Sequence, residues 1–218
     1  VAWLFNLRGT DVPYNPVFFT FAIVTLDRTV LYVNEAQLTD DVRQHLGTSV
    51  VLRPYGEFYN DLRAMEQQLQ PGQKLLIGKR ASYAVFQALG TERTLVDRSL
   101  VVDSKSVKNV VELDGFREAH LRDGAALASY FAWLEEALAN GEKVSETEGA
   151  NKLTEFRQKQ EDFQGLSFTT ISSTGPNGAI IHYSPPEEGS PYIERDALYL
   201  CDSGAHFPFG TTDVTRTL

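Results

Sequence analysis

The sequence has 218 residues and a mass of 24.3 kDa, which is enough for one large domain or two small ones. Hydrophobic residues make up 42% of the chain and charged residues 22%, a composition that supports a folded core and excludes disorder over most of its length. The 20 Lys and Arg residues against 29 Asp and Glu residues give a net charge of −9. We therefore expect no nucleic-acid partner, because such a surface repels phosphates.

Nothing in the sequence predicts a membrane or secreted protein. The longest apolar stretch, Val17–Leu26, is ten residues long and too short to span a bilayer. Cys201 is the single cysteine, no Asn-x-Ser/Thr acceptor occurs, and the N-terminus does not resemble a signal peptide. These features predict a cytoplasmic location.

Residues 1–104 alternate between the strand and helix periods, which predicts an α/β domain. The stretches Val17–Leu26 and Thr29–Val33 predict a hairpin, and Thr39 predicts the start of a helix that stops at Gly47. Further expected strands or apolar runs are Ser49–Arg53, Lys74–Ile77, Thr94–Val96 and Leu100–Val102, and further expected helices are Glu57–Leu69 and Ala81–Leu89.

Ser104–Ser106 is predicted to be a polar hinge, and we place a domain boundary there, so that residues 105–218 form a second, α+β domain. About fifty helical residues follow. The apolar side chains of the first long helix recur at helical spacing and predict a core face. They are Leu127, Phe131, Leu134 and Leu138.

The rest of the second domain is predicted to be a charged helix followed by strands. The helix covers Thr147–Gln160, and its charged run Glu155–Asp162 is expected to face solvent. The expected strands are Phe168–Ser172, Ala179–Tyr183 and Ala197–Cys201.

Two aspartates flank the last glycine-rich turn. If Ala197–Cys201 pairs with Thr212–Thr217, Asp202 and Asp213 approach each other across the ladder. Two close carboxylates stay ionised when a cation lies between them, so the pair could bridge two divalent ions. Thr215 lies two residues after Asp213, on the same strand face, and is a candidate to support the ligands.

Spacing alone leaves open whether these aspartates are metal ligands or ordinary turn and strand-end residues. The zincin, P-loop, Gly-x-Gly-x-x-Gly and Gly-x-Ser-x-Gly signatures are absent. Cys201 is adjacent to Asp202 and should point to the opposite sheet face, into the core.

Four segments are distinctive in order and spacing: WLFNLRGTDVPYNPVF (3–18), VELDGFREAHLRDGAAL (111–127), GPNGAIIHY (175–183) and DSGAHFPFGTTDVTRT (202–217). Together they closely resemble the Xaa-Pro aminopeptidase family, also called aminopeptidase P, in its long eukaryotic-type form. The resemblance implies a creatinase-like middle domain over 1–104, followed over 105–218 by the first half of a pita-bread catalytic domain.

The resemblance also implies an activity. Family members are metal-dependent exopeptidases that remove an N-terminal residue when proline is second, and they use a pair of divalent ions, usually Mn²⁺. Asp202 matches the family aspartate that binds one metal, Asp213 the aspartate that bridges both, and His182 a histidine lining the substrate site.

In the family pattern, the remaining ligands, one His and two Glu, come after the position of Leu218. We therefore expect an internal segment that is inactive by itself and holds metal weakly. Its implied partners are peptides beginning X-Pro, the remainder of the same protein and, as dimers are common in the family, a second copy. The alternatives are a non-catalytic pita-bread binding module and a prolidase-type dipeptidase or related hydrolase.

Overall fold

The computed structural model describes residues 1–218, which separate into two units, Val1–Lys108 and Asn109–Leu218. The elements of the first unit are α1 (Ala2–Phe5), β1 (Phe21–Val24), β2 (Thr29–Val33), α2 (Asp40–Leu46), β3 (Val50–Pro54), α3 (Phe58–Gln68), β4 (Leu75–Gly78), α4 (Tyr83–Leu89), β5 (Thr94–Asp97) and α5 (Leu100–Ser106). Short 3₁₀ helices cover Glu35–Gln37, Tyr55–Glu57 and Thr91–Arg93.

Strand β2 is the centre of the first unit. It pairs antiparallel with β1 and parallel with β3, while β4 and β5 form a separate parallel pair. Val30 and Tyr32 pack in one cluster with residues of α3 and α4, and Leu31 and Val33 pack in a second with residues of α1 and α2. Both strand faces are buried, which explains the uninterrupted apolar run in the sequence.

Most predicted elements of the first unit are confirmed. The β1–β2 hairpin forms, and α2 begins after Thr39, whose side chain accepts a hydrogen bond from the Val42 amide. The helix ends at Gly47, which has a φ of +61° that favours glycine.

The predicted strand Leu100–Val102 is wrong, because these residues begin α5. A β-branched run favours a strand only beside a neighbour that pairs with it. Here β4 and β5 pair with each other, and helical bonds form instead, such as the one from the Asp103 amide to the Ser99 carbonyl at 3.3 Å. The predicted hinge, Ser104–Ser106, is therefore the last turn of a helix.

The second unit contains two helices and six short strands. They are α6 (Val110–Ala139), α7 (Glu146–Gln158), β6 (Gly165–Leu166), β7 (Ile171–Thr174), β8 (Tyr199–Ser203), β9 (Ala205–Phe207), β10 (Gly210–Thr211) and β11 (Val214–Thr217), with a 3₁₀ helix at Gly175–Ala179. One antiparallel sheet has the order β7-β8-β11 and a second has the order β6-β9-β10.

Both long helices begin with a capping box, formed by Asn109 with Glu112 and by Ser145 with Glu148. The predicted core face of α6 is confirmed. Two of its residues, Leu127 and Leu134, are buried, and the other two pack partly buried against the same cluster. No helix of the structure, α6 included, has the length and apolar character needed to cross a membrane.

Two expectations about the strands of the second unit need correction. The predicted strand Ala179–Tyr183 is instead the end of a 3₁₀ helix and a turn, in which His182 has a φ of +58°. The backbone amides of this segment donate locally and not to a neighbouring strand: Ile180 donates to the Asn177 carbonyl at 3.1 Å, and Tyr183 donates to the Ile180 carbonyl at 3.2 Å. The predicted turn between β8 and β11 contains an additional hairpin, β9–β10.

Candidate active site

Asp202 and Asp213 lie at the neighbouring ends of two paired strands. Strands β8 and β11 run antiparallel, with Ser203 opposite Val214 and Asp202 opposite Thr215. Asp213 immediately precedes β11. The predicted antiparallel pairing of these two strands is confirmed. The residue directly across from Asp202, however, is Thr215 and not Asp213.

Thr215 contacts one of the two aspartates directly. Its Oγ1 donates a hydrogen bond of 2.8 Å to Oδ1 of Asp202. Asp202 is partly exposed and Asp213 is exposed, so both carboxylates are open to solvent. An ionised carboxylate has about four lone-pair sites, so one hydroxyl partner leaves Asp202 with capacity for a cation.

A buried polar network lies directly behind these strand ends. The Arg157 guanidinium on α7 donates to both carboxylate oxygens of Asp123 on α6, at 2.6 and 3.2 Å, and to Oγ of Ser203 at 3.0 Å. Thr212 Oγ1 donates to the same carboxylate at 2.7 Å and accepts from the Ala205 amide at 2.9 Å. Ser203 and Thr212 are the chain neighbours of the two aspartates, so the network fixes the backbone beside both.

Gly204 allows the two strand ends to approach closely. A Cβ atom at this position would lie 2.1 Å from the Thr212 carbonyl oxygen and 2.2 Å from Oγ of Ser167. The Ser167 hydroxyl donates to that same carbonyl at 2.9 Å. Only glycine fits here, immediately after the β8 segment that carries Asp202.

His182 is exposed in the turn that follows the 3₁₀ helix. The segment around His182 is hydrogen-bonded to Glu146, the first residue of α7. The Glu146 side chain is fully buried. Tyr183 donates its hydroxyl hydrogen to Glu146 at 2.5 Å. Burial, the hydrogen bond and the charge of Glu146 raise the pKa of Tyr183 to about 12.

Sequence reasoning missed three charged residues that the structure buries: Asp123, Glu146 and Arg157. The expectation that the run containing Arg157 faces solvent is wrong for that residue. The sequence did contain a signal for the burial of two of these residues. Arg157 lies four residues after the buried Leu153, and Asp123 lies four residues after the buried Ala119, so each shares a helix face with a core residue. Glu146 carried no such signal, since an acidic residue in the first helical turn is ordinarily a surface feature.

Cys201 points into the core, as predicted, and is 1% exposed. Burial raises the pKa of its thiol to about 11. A thiol that stays protonated is a poor nucleophile and a poor metal ligand. The chain holds no group of three or more His, Cys, Asp or Glu side chains that could bind a metal ion.

Residues 1–112 match the family model for the creatinase/prolidase N-terminal domain, and residues 114–218 match the model for metallopeptidase family M24. The chain therefore belongs to the creatinase/prolidase family, and its second part is M24 metallopeptidase sequence. The predicted resemblance and fold class are confirmed.

Individual relatives refine that class. The chain is 53% identical to the protein named "Probable Xaa-Pro aminopeptidase P" of Coprinopsis cinerea over the whole chain and 37% of that relative. It matches the crystal structure of X-prolyl aminopeptidase from Caenorhabditis elegans, described as a cytosolic enzyme with a di-nuclear active site, with a TM-score of 0.93. That match has 38% identity and covers all of this chain and 36% of the other.

A third comparison bears on the fold alone. The Xaa-Pro dipeptidase from Bacillus anthracis is 21% identical, with a TM-score of 0.74 over all of this chain and 57% of that one. The chain thus spans little more than a third of the aminopeptidase relatives that it matches.

Proposed function

We propose that this chain forms part of a metal-dependent aminopeptidase that releases the N-terminal residue from peptides with proline in second position. The observation that carries the proposal is the placement of Asp202 and Asp213 at the adjoining ends of β8 and β11, within M24 sequence. Residues 1–104 would be its creatinase-like middle domain, and residues 105–218 the first half of its pita-bread catalytic domain.

Asp202 and Asp213 would hold two divalent cations, which we propose to be Mn²⁺. Carboxylate oxygens are hard donors that suit Mn²⁺ and related ions. When bound, such a pair polarises the scissile carbonyl and activates water for attack. Two carboxylates supply too few oxygens for two ions that take about six ligands each. The other ligands would therefore come from residues that extend the relatives beyond the matched region.

Two residues of this chain, Thr215 and His182, would then support the reaction. Thr215 would orient the Asp202 carboxylate through its 2.8 Å hydrogen bond. His182 would line the substrate site from its exposed turn, where its imidazole could donate a hydrogen bond to the peptide. The excess of acidic over basic side chains in the chain would attract the N-terminal ammonium of the substrate.

Proline in second position explains the need for such a site. An X-Pro bond has no amide hydrogen, so a peptidase that holds its substrate through that hydrogen cannot use it. Polarisation of the carbonyl by cations does not depend on it. We propose that the protein acts in the cytoplasm, and that a homodimer, which the family resemblance implies, is its assembled form.

The test is to express the complete reading frame, load it with Mn²⁺, and measure release of the first residue from X-Pro-X peptides. Asp202→Ala and Asp213→Ala should each abolish release and reduce bound metal. Asp196→Ala, an exposed aspartate in the loop before β8, is the matched control and should retain full activity. Full activity in the Asp213 variant would contradict its bridging role.

The same assay separates the alternatives. Cleavage of X-Pro dipeptides alone would assign a prolidase-type dipeptidase. Absence of both metal binding and cleavage in the complete protein would leave the non-catalytic binding module. The present chain alone is expected to be inactive.

A further inference from the structure

Glu146 is a fully buried carboxylate whose hydrogen-bond partners all lie in one segment, residues 174–183. The Thr174 amide donates to its Oε1 at 2.6 Å. The Asn177 side-chain amide donates to both oxygens, at 3.1 and 3.3 Å, and Tyr183 donates to Oε2 at 2.5 Å. Asn177 also donates to the Tyr183 hydroxyl at 3.1 Å, which closes the network.

Burial of an ionised carboxylate without a cationic partner is costly unless several donors satisfy it. No Lys or Arg is among the hydrogen-bond partners of Glu146. Its stabilisation comes from the donors of this segment and from the positive end of the 13-residue helix α7, at whose first position it lies. The segment and the carboxylate therefore hold each other in place.

These hydrogen bonds fix the chain both before and after the turn that carries His182. Asn177 precedes the turn and Tyr183 follows His182 directly. The turn itself has little packing, because Ile180 and Ile181 are 53% and 86% exposed. His182 also adopts a φ of +58°, a left-handed conformation that a non-glycine residue keeps only when its surroundings impose it.

We propose that Glu146 is the positioning residue for His182, and that it acts through Tyr183 and Asn177 to set the path of the turn and the direction of the imidazole. The structural part of this inference stands on the hydrogen bonds. Its catalytic consequence rests on the proposed function, in which His182 contacts the substrate.

The structural part is tested in the present chain by NMR. The backbone amide and imidazole signals of His182, assigned with His182→Ala, are compared between the wild-type protein and two variants. Because Glu146→Ala removes several bonds at once and can unfold the unit, Tyr183→Phe, which removes one hydroxyl, is the decisive change. Both substitutions should shift the NMR signals of His182 and lower its backbone order parameter.

Glu148→Ala is the matched control. Glu148 lies two residues further along the same helix, and its carboxylate accepts hydrogen bonds from Ser145 and not from the segment 174–183, so the substitution removes only the capping box. It should lower stability and leave the His182 signals unchanged. Unchanged signals in Tyr183→Phe and Glu146→Ala, or an equal change in the control, would overturn the inference.

The catalytic consequence is tested in the complete reading frame by a double-mutant cycle. Tyr183→Phe should lower kcat about tenfold with little change in KM, the size of effect expected from misplacing a substrate-contacting group. In a His182→Ala background, the same substitution should cause no further loss, because its effect passes through the missing imidazole. Additive losses would assign Tyr183 a merely structural role and refute the positioning role.

The two failures are distinguishable. A complete wild-type protein that binds metal but cleaves no X-Pro peptide would refute the proposed function. The NMR comparison would still decide whether Glu146 places His182.

Discussion

The guanidinium of Arg157 and the carboxylate of Asp123 form a paired, two-bond contact at which both side chains are almost completely excluded from water, being 0% and 1% exposed. The contact joins α7 to α6, and its further bonds to Ser203 and Thr212 reach the two strand ends beside Asp202 and Asp213. The same interaction therefore stabilises the second unit and positions the candidate metal ligands.

Arg157→Met should destabilise the second unit by about 3–5 kcal/mol, because it leaves the Asp123 carboxylate buried without its counter-charge. Denaturant unfolding followed by tryptophan fluorescence measures this. In a Trp3→Phe background, Trp133 is the single reporter and lies in the second unit.

Glu155→Gln is the control for that change, since it breaks the exposed ion pair with Lys152 on the same helix and should alter stability far less. Equal stability losses in the two variants would contradict the importance of the buried pair.

Two glycines of α6 should respond in opposite ways to the same substitution. A Cβ atom on Gly115 would lie 2.2 Å from the Phe209 carbonyl oxygen, so Gly115→Ala should cost about 1–3 kcal/mol or more through overpacking. Gly124 has nothing within 4 Å and is exposed, so Gly124→Ala should stabilise the helix by about 0.5–1 kcal/mol. Thermal unfolding of both variants is the measurement, and a shift of the same sign in both would be inconsistent with this packing.

Cys201 should resist thiol reagents in the folded protein. With its pKa raised to about 11 by burial, about one thiol in a thousand is ionised at pH 8, and the residue is 1% exposed. The reaction with an aromatic disulfide at pH 8 should therefore be slow, and it should become rapid in guanidinium chloride. Rapid modification of the native protein would show that the strand β8 opens readily.

The stability of the first unit should fall in acid because of Asp61. Its burial raises the pKa of the carboxyl, but the hydrogen bonds from Arg53 and Tyr32 outweigh that effect and leave the pKa below the ordinary value of 3.8. A carboxyl whose pKa is lowered by folding stabilises the protein above its unfolded pKa, and loses that contribution as the pH falls through the folded pKa.

Asp61→Asn removes this titration. In a Trp133→Phe background, Trp3 reports on the first unit, and urea unfolding should show the wild type more stable than the variant at pH 7. The difference should shrink once the pH drops below 3.8. A constant difference across that range would mean that Asp61 does not carry the effect.

Thr215→Val should weaken metal binding in the complete protein about tenfold, because loss of a hydrogen bond to a metal-binding carboxylate typically costs 10–100-fold in affinity. Competition between the protein and a chelator for Mn²⁺ is the measurement. Thr217→Val, two residues further along β11 and paired with Leu200, is the control and should bind as the wild type does. Equal metal affinity in both variants would show that Thr215 does not support the metal site.

Much of the fold was predictable because its signals are local. Thr39 and Gly47 bound α2, and the spacing of Leu127 and Leu134 identifies the buried face of α6. The turn at His182 was not predictable in this way. Its apolar run favours a strand, and the conformation is decided by Glu146, which precedes Tyr183 by 37 positions.

The amino-acid sequence by itself determined the family, most helix and strand positions, and which aspartates flank the last ribbon. Only the tertiary structure decided that Asp123, Glu146 and Arg157 are buried, and that Thr215 is the residue across from Asp202. The physical reason is the distance along the chain between partners: Thr212 bonds to Asp123 across 89 positions, and Arg157 bonds to Ser203 across 46. No local pattern encodes which distant donors will satisfy a buried charge. Helix caps, C-terminal glycines and the spacing of apolar residues, in contrast, act on structure within a few residues of their own positions.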